Sequence, residues 1–288
     1  MSTVAQELTD RIIAALEEGT VPWRQPWSVN GLVPTSLQTG KPYRGINHLV
    51  LAMTMASKPE YTQNLWVTFK QAKALGGSVR KGEKSTSVIF WTKVTKEEAE
   101  DEKMFMVARA YHVFNVAQCE GVKIPEKFLT SEEITWTPSE GLERIVAGYA
   151  GGPEINHREQ ARAFYDPAVD KITLPPKSAF DSETGYAETL LHELTHSTGH
   201  ESRLNRFTGE DKPAFFGSEP YAREELVAEL GAMMLMSEAG IEPVIGNAAA
   251  YIDSWLKALK DDKNLIIQAA QRAAKATDHI LGRSANAE

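Results

Sequence analysis

The sequence predicts an α+β protein of two domains: an α+β domain over residues 1–125, then a mainly helical domain over residues 126–288 with a small sheet. Three observations carry this. β-Branched and aromatic runs of strand type concentrate before residue 120, helical periodicity dominates from Tyr186 on, and the stretch from Val122 to Pro138 between them is polar and proline-bearing, like a linker. A chain of 288 residues with 42% hydrophobic and 24% charged side chains has the composition of a folded protein.

In order, Val4, Leu8, Ile12 and Leu16 stand at four-residue steps, an amphipathic helix from Thr3 to Glu18 that Gly19 ends. VPWRQPWSVNG cannot continue it and reads as a loop. His48 to Ser57 is apolar and helical. Leu65 to Phe69 reads as a short strand or the start of a helix, and Lys70 to Leu75 as a helical turn broken by Gly76-Gly77. Ser85–Thr92 and Phe105–Val116 are strands around the charged loop KEEAEDEK. Beyond the linker come a helix from Leu142 to Tyr149 and a hairpin of Ala161–Tyr165 with Lys171–Leu174 around DPAVD. Four helices follow, Tyr186–Ser197, Tyr221–Ala239, Ala248–Leu259 and Asp262–Leu281.

Composition excludes several classes. No apolar run reaches the roughly 18 residues of a membrane span, and the first residues have neither the basic start nor the apolar core of a secretory signal. The single cysteine, Cys119, excludes an internal disulfide framework, fits a reducing compartment and reads as a buried small hydrophobe. A cytoplasmic protein is expected. The net charge of −8 is unevenly spread: residues 1–130 hold 16 basic and 13 acidic side chains, and Thr39–Lys93 holds nine Lys or Arg against Glu60 and Glu83. A basic segment within an acidic chain suits a polyanion on one part of the molecule only.

The most specific motif is HExxH, His192-Glu193-Leu194-Thr195-His196, expected by chance about 0.02 times in such a chain. On a helix the two imidazoles, four residues apart, share one face and can reach one ion. With a third protein ligand, zinc leaves a position for a water whose pKa falls to about 7, and Glu193 stands where a general base would take its proton. A third histidine six residues after His196 is absent, since Ser202 stands there. Glu225 and Glu229, one turn apart on the next helix, are the better source, with Glu224 rotated by about 100°. Glu225 as ligand with Glu229 orienting a histidine reproduces the glutamate-zincin pair, and the reverse assignment stays open. Two imidazoles and a carboxylate suit Zn2+, and Mn2+ fits the same donors. His200, Tyr221 and Arg223 are candidate donors to an oxyanion, and the long stretch Ser197–Ser218 a candidate cover for the cleft.

In the first domain, Trp23, Trp27, Tyr43, Trp66, Phe69 and Trp91 interleave with Arg44, Lys70, Lys73, Arg80, Lys81 and Lys84. Rings on which bases stack, beside cations that follow phosphates, are the pattern of single-stranded nucleic-acid binding. A dense basic stripe on one helix, which duplex readers use, is not present.

The runs TGKPYRGIN (39–47) and WVTFKQA (66–72), with the prolines and tryptophans around Trp23, resemble the N-terminal domain of ArdC-type antirestriction proteins. HELTHSTGHESRLNR (192–206) and YAREELVAELGA (221–232) are similar to the zincin-like metallopeptidase domain joined to it in that family. The resemblance implies a single-stranded DNA-binding protein of conjugative plasmids that shields incoming DNA from restriction. Single-stranded DNA is the implied partner and host restriction machinery a second candidate. The other reading of the same residues is an active zinc metalloprotease whose basic domain targets it to DNA or to a protein.

Overall fold

The computed structural model describes residues 3–19, 21, 33–58, 60–98, 101–129, 138–208, 219–242 and 249–283. The first half consists of α1 (Thr3–Glu17), β1 (Thr35–Ser36), α2 (Gly45–Ala56), β2 (Leu65–Thr68), α3 (Phe69–Ala74), β3 (Ser78–Val79), β4 (Thr86–Glu98), β5 (Asp101–Asn115) and β6 (Cys119–Glu120). The second half holds α4 (Glu126–Leu129), α5 (Pro138–Gly148), β7 (Glu154–His157), β8 (Phe164–Asp166), β9 (Lys171–Leu174), α6 (Glu183–Ser197), α7 (Glu219–Ala239), α8 (Ala249–Asp261) and α9 (Leu265–Ile280). This is the two-part α+β architecture that the sequence predicts.

The larger sheet has the order β1-β2-β5-β4, parallel between β1 and β2 and otherwise antiparallel. Its β2 runs directly into α3 because Thr68 makes a reciprocal capping box with Gln71, so Leu65 to Phe69 is both strand and helix start. Within KEEAEDEK, residues 96–98 and 101–103 are paired strand rather than loop. The β4–β5 ladder continues through Glu97↔Glu102 to Glu98↔Asp101, backbone pairing overriding the charge pattern that suggested a long turn. β3 and β6 form a two-stranded sheet, and the three-stranded sheet β7-β9-β8 contains the expected hairpin of β8 and β9 and adds β7 parallel to β9.

Each half has buried clusters of its own, and one further cluster is shared between them. Leu8, Ile12 and Leu16 of α1, Ile46, Leu49 and Val50 of α2, and Ile89 of β4 form one buried cluster with residues of α7, α8 and α9, including Leu226, Leu230, Trp255 and Ile266. Polar contacts follow the same seam: Arg44 pairs with Asp278, Lys263 with Asp10 at 2.7 Å, and the Thr9 hydroxyl donates to the Lys263 carbonyl at 2.7 Å. A second cluster joins α5, α6, α7 and β9 beneath the HExxH helix. Helix α7 therefore packs with one side on α8 and α9, which in turn cover α1 and α2, and with another on α6.

Candidate metal centre

Helix α6 starts at Ser182, whose hydroxyl accepts from the Gly185 amide at 3.0 Å, and it buries Leu190, Leu191 and Leu194 opposite the histidines. It crosses α7 at Gly231. A Cβ there would lie 2.4 Å from the Thr195 methyl carbon, so only glycine lets the helices approach this closely.

That approach brings His192, His196 and Glu225 together, with one ligand atom from each inside a common 4.8 Å. The two Nε2 atoms are 3.1 Å apart, and the Glu225 oxygens lie 3.5 Å from that of His192 and 3.4 Å from that of His196. A tetrahedral ion with bonds of about 2.0–2.1 Å holds its ligands about 3.3 Å from one another, so the donor set fits a divalent ion such as zinc. Glu229 instead meets His192 Nδ1, at 3.4 Å, while Glu224 Oε1 lies 3.2 Å from His196 Nδ1. The 100° rotation that takes Glu224 off the Glu225 face carries it to the far nitrogen of the other histidine. Arg206 fixes it there, donating to both Glu224 oxygens (3.2 and 2.6 Å), to the Thr195 carbonyl and to the Thr198 hydroxyl. The sequence sets Glu224 aside as rotated off the ligand face and does not point to Arg206. The EE pair at 224–225 facing two histidines was the available signal; nothing local marked Arg206.

Burial disfavours the imidazolium form of His192, but the carboxylates of Glu225 and Glu229 outweigh it and lift His192 well above the ordinary imidazole range. His196 rises to about 9, Glu224 and Glu225 again overcoming desolvation. Burial alone would raise Glu225, yet the two imidazoles hold it far below the usual carboxylate range. Such a site favours positive charge, supplied by protons or by a divalent cation. Glu193, the residue after His192 on α6, is buried beside the pair.

The candidate oxyanion donors are otherwise engaged. His200 Nδ1 is 2.8 Å from the Ser202 hydroxyl, in a turn, and Arg223 reaches toward Asp262 at 3.8 Å. Tyr221 stands half-buried in the first turn of α7. The proposed cleft cover, Ser197–Ser218, is described only to residue 208.

The nucleic-acid candidates divide. Trp66 is 0% exposed and donates from its indole to Asn64 at 2.8 Å; Tyr43 is 8% exposed, in the same cluster. Neither offers a face to a base, because both fill the core behind the larger sheet. Arg44 is committed to Asp278, and Arg80 to Glu83 at 2.9 Å. Phe69 and Trp91 are exposed at 49% and 44%, with Lys73 5.0 Å over the Phe69 ring, and Lys70, Lys81 and Lys84 are exposed. Trp23 and Trp27 lie outside the described residues. Two further rings were missed: Phe90 and Tyr111, 44% and 41% exposed, meet edge to face at 5.3 Å beside exposed Arg109. Strand alternation hid them, since position 90 looked no different from buried Ile89. Cys119 is half-buried, its thiol 3.7 Å from the Asn115 carbonyl.

Two family models match the chain, the N-terminal domain of anti-restriction factor ArdC over residues 2–114 and a zincin-like metallopeptidase over residues 140–272. DNA primase TraC of Escherichia coli is 39% identical over 96% of this chain, which spans only 27% of that relative's length. Two crystal structures of the antirestriction ArdC protein from the R388 plasmid match nearly end to end. The metal-free form is 41% identical, with 96% of each chain covered and a TM-score of 0.79. The Mn(II)-bound form is 40% identical, with 99% of each covered and a TM-score of 0.78. No helix among the described residues is long and apolar enough to cross a membrane. With both halves matched and their order kept, this chain belongs to the ArdC family of antirestriction proteins.

Proposed function

We propose that the protein is a cytoplasmic antirestriction factor that covers single-stranded plasmid DNA as it enters a new host and so withholds it from restriction. The observation that carries the strand-binding part is the distribution of exposed rings. Of the six exposed large hydrophobics among the described residues, Phe69, Phe90, Trp91 and Tyr111 fall in the first half, beside Lys70, Lys73 and Arg109. Bases stack on such rings and cations follow the phosphates, with little dependence on sequence. The likeness to R388 ArdC supports the antirestriction part.

In the second half, His192, His196 and Glu225 are the ligands of one divalent ion, with Glu229 and Glu224 orienting the two imidazoles. Zinc is the ion this donor set favours; manganese, which the R388 protein carries in one structure, fits the same ligands. When bound, such an ion supplies a Lewis acid that polarises a carbonyl. Glu193 is the general base, accepting a proton from attacking water and returning it to the departing amine. Glu193→Ala separates the two activities. Single-strand affinity and protection from restriction should survive it while any proteolysis is lost. Protection abolished with DNA affinity intact would overturn the shielding account and make hydrolysis the function.

A further inference from the structure

We propose that a cavity between α1, α2 and the start of β4 is a seat for one phosphate-bearing nucleotide unit, supplied by the single strand that the exposed rings engage. This rests on the strand-binding reading and names a subsite for it. The cavity, about 360 Å³, lies within the size range of small-molecule sites. Arg11 of α1, Lys58 just after α2 and Lys84 just before β4 converge on it from three elements, against one carboxylate, Glu7. Arg11 and Lys84 form no ion pair with any described residue, while Lys58 lies 3.8 Å from Glu60 and within electrostatic reach of Glu83, which Arg80 already pairs at 2.9 Å. Three cations against one carboxylate in the lining leave an excess of positive charge, which a phosphate relieves.

The rest of the lining suits the same ligand. The floor is rigid: the Asn47 amide donates to the Ile89 carbonyl and accepts from the Ile89 amide, both at 2.7 Å. Gln118 fixes the segment before β4 by donating to the Lys84 carbonyl at 2.9 Å and to Glu83 at 3.0 Å. Ser85 and Tyr61 add hydroxyls to the wall, and that of Tyr61 makes no hydrogen bond to the described residues. Burial raises the Tyr61 pKa, so this hydroxyl remains a neutral donor at pH 7.

The position favours a strand over a free nucleotide. Thr86 lines the cavity, and Phe90, four residues further along the same strand and on the same face, stands about 13 Å away at the usual rise. A phosphate in the cavity therefore leaves neighbouring bases within reach of the Phe90–Tyr111 rings.

The test uses the full chain, an oligo(dT) strand read by fluorescence anisotropy, and thymidine 5′-monophosphate and inorganic phosphate read by calorimetry. Arg11→Ala/Lys84→Ala should weaken oligo(dT) binding at least tenfold and flatten the salt dependence by about 0.7 in log–log slope for each phosphate no longer neutralised. Tyr61→Phe should give a smaller loss. The control Lys257→Ala/Lys275→Ala removes the same charge from exposed helix positions elsewhere and should have less effect. Wild-type binding with the Arg11/Lys84 variant unchanged, or changed no more than the control, overturns the seat. Tight mononucleotide or phosphate binding that the variant abolishes, with oligo(dT) affinity intact, overturns the strand as its source. A wild-type protein that fails to bind oligo(dT) at low salt refutes the strand-binding reading itself, a distinguishable result.

Discussion

Replacing Gly231 with alanine should disturb the metal centre without touching a ligand. The added Cβ would stand 2.4 Å from Thr195 Cγ2 and 2.7 Å from Thr195 Oγ1, whereas carbon atoms pack at about 3.5–4.0 Å. Helices α6 and α7 must therefore part locally by about 1 Å. Overpacking of this kind costs about 1–3 kcal/mol, and the better helix propensity of alanine returns at most about 1 kcal/mol. A net loss of about 1–2 kcal/mol is expected in urea denaturation of the metal-free protein. The same movement draws Glu225 from its 3.4 and 3.5 Å separations to the histidine nitrogens, beyond the reach of bonds of about 2.0–2.2 Å. Affinity for Zn2+ or Mn2+, measured by calorimetric titration, should fall at least about tenfold, or 1.4 kcal/mol. Thr195→Ala in the same chain removes both clashing atoms and leaves Thr195 Cβ, at 3.2 Å, as the nearest contact, so the double variant should recover most of both losses. Wild-type stability and affinity in Gly231→Ala, or no recovery in the double variant, would refute the claim that this crossing sets the site.

Other expectations follow from the same structure. His192→Ala and His196→Ala should abolish stoichiometric metal in elemental analysis, with Glu225→Ala more damaging than Glu229→Ala; the reverse order would exchange the two glutamates. Arg206→Ala, which frees Glu224, should weaken metal binding about 10- to 100-fold while a full set of ligands remains. Trp66→Ala should cost about 3–5 kcal/mol of stability as a core truncation, whereas Trp91→Ala should leave the Tm unchanged and cost about 1–3 kcal/mol of single-strand affinity. His48 sits buried between α2 and the second half, and burial lowers its pKa to about 4. The unfolded chain, with an ordinary imidazole near 6.5, binds the extra proton first, so stability falls as pH drops from about 6.5 to 4 and levels off below. The loss is about 3 kcal/mol, and the difference in pH dependence between wild type and His48→Asn, from urea titrations, isolates it.

Local signals were legible where one element carries its own pattern. The α1 repeat, the HExxH pair on α6 and the Glu225–Glu229 turn on α7 each follow from periodicity within a single helix. What stayed hidden depends on partners distant in sequence. Trp66 and Trp91 are the same residue type in the same basic segment, yet one fills the core behind the sheet and the other stands outside it. Glu224 acts only because α7 crosses α6 at Gly231, and Arg206 only because the chain after α6 turns back onto Glu224. An amphipathic helix also says that one face is covered, but not by what. Nothing in Leu8, Ile12 and Leu16 indicated that α8 would cover them.

The seam between the halves bears on inheritance. A chain whose first two helices are buried against its last two cannot be cut at its middle and traded piecewise, because either fragment would expose the apolar faces the other had covered. Recombination should therefore move the pair as one cassette, with breakpoints outside it. The match to TraC has that form: 96% of this chain reappears within a relative nearly four times as long.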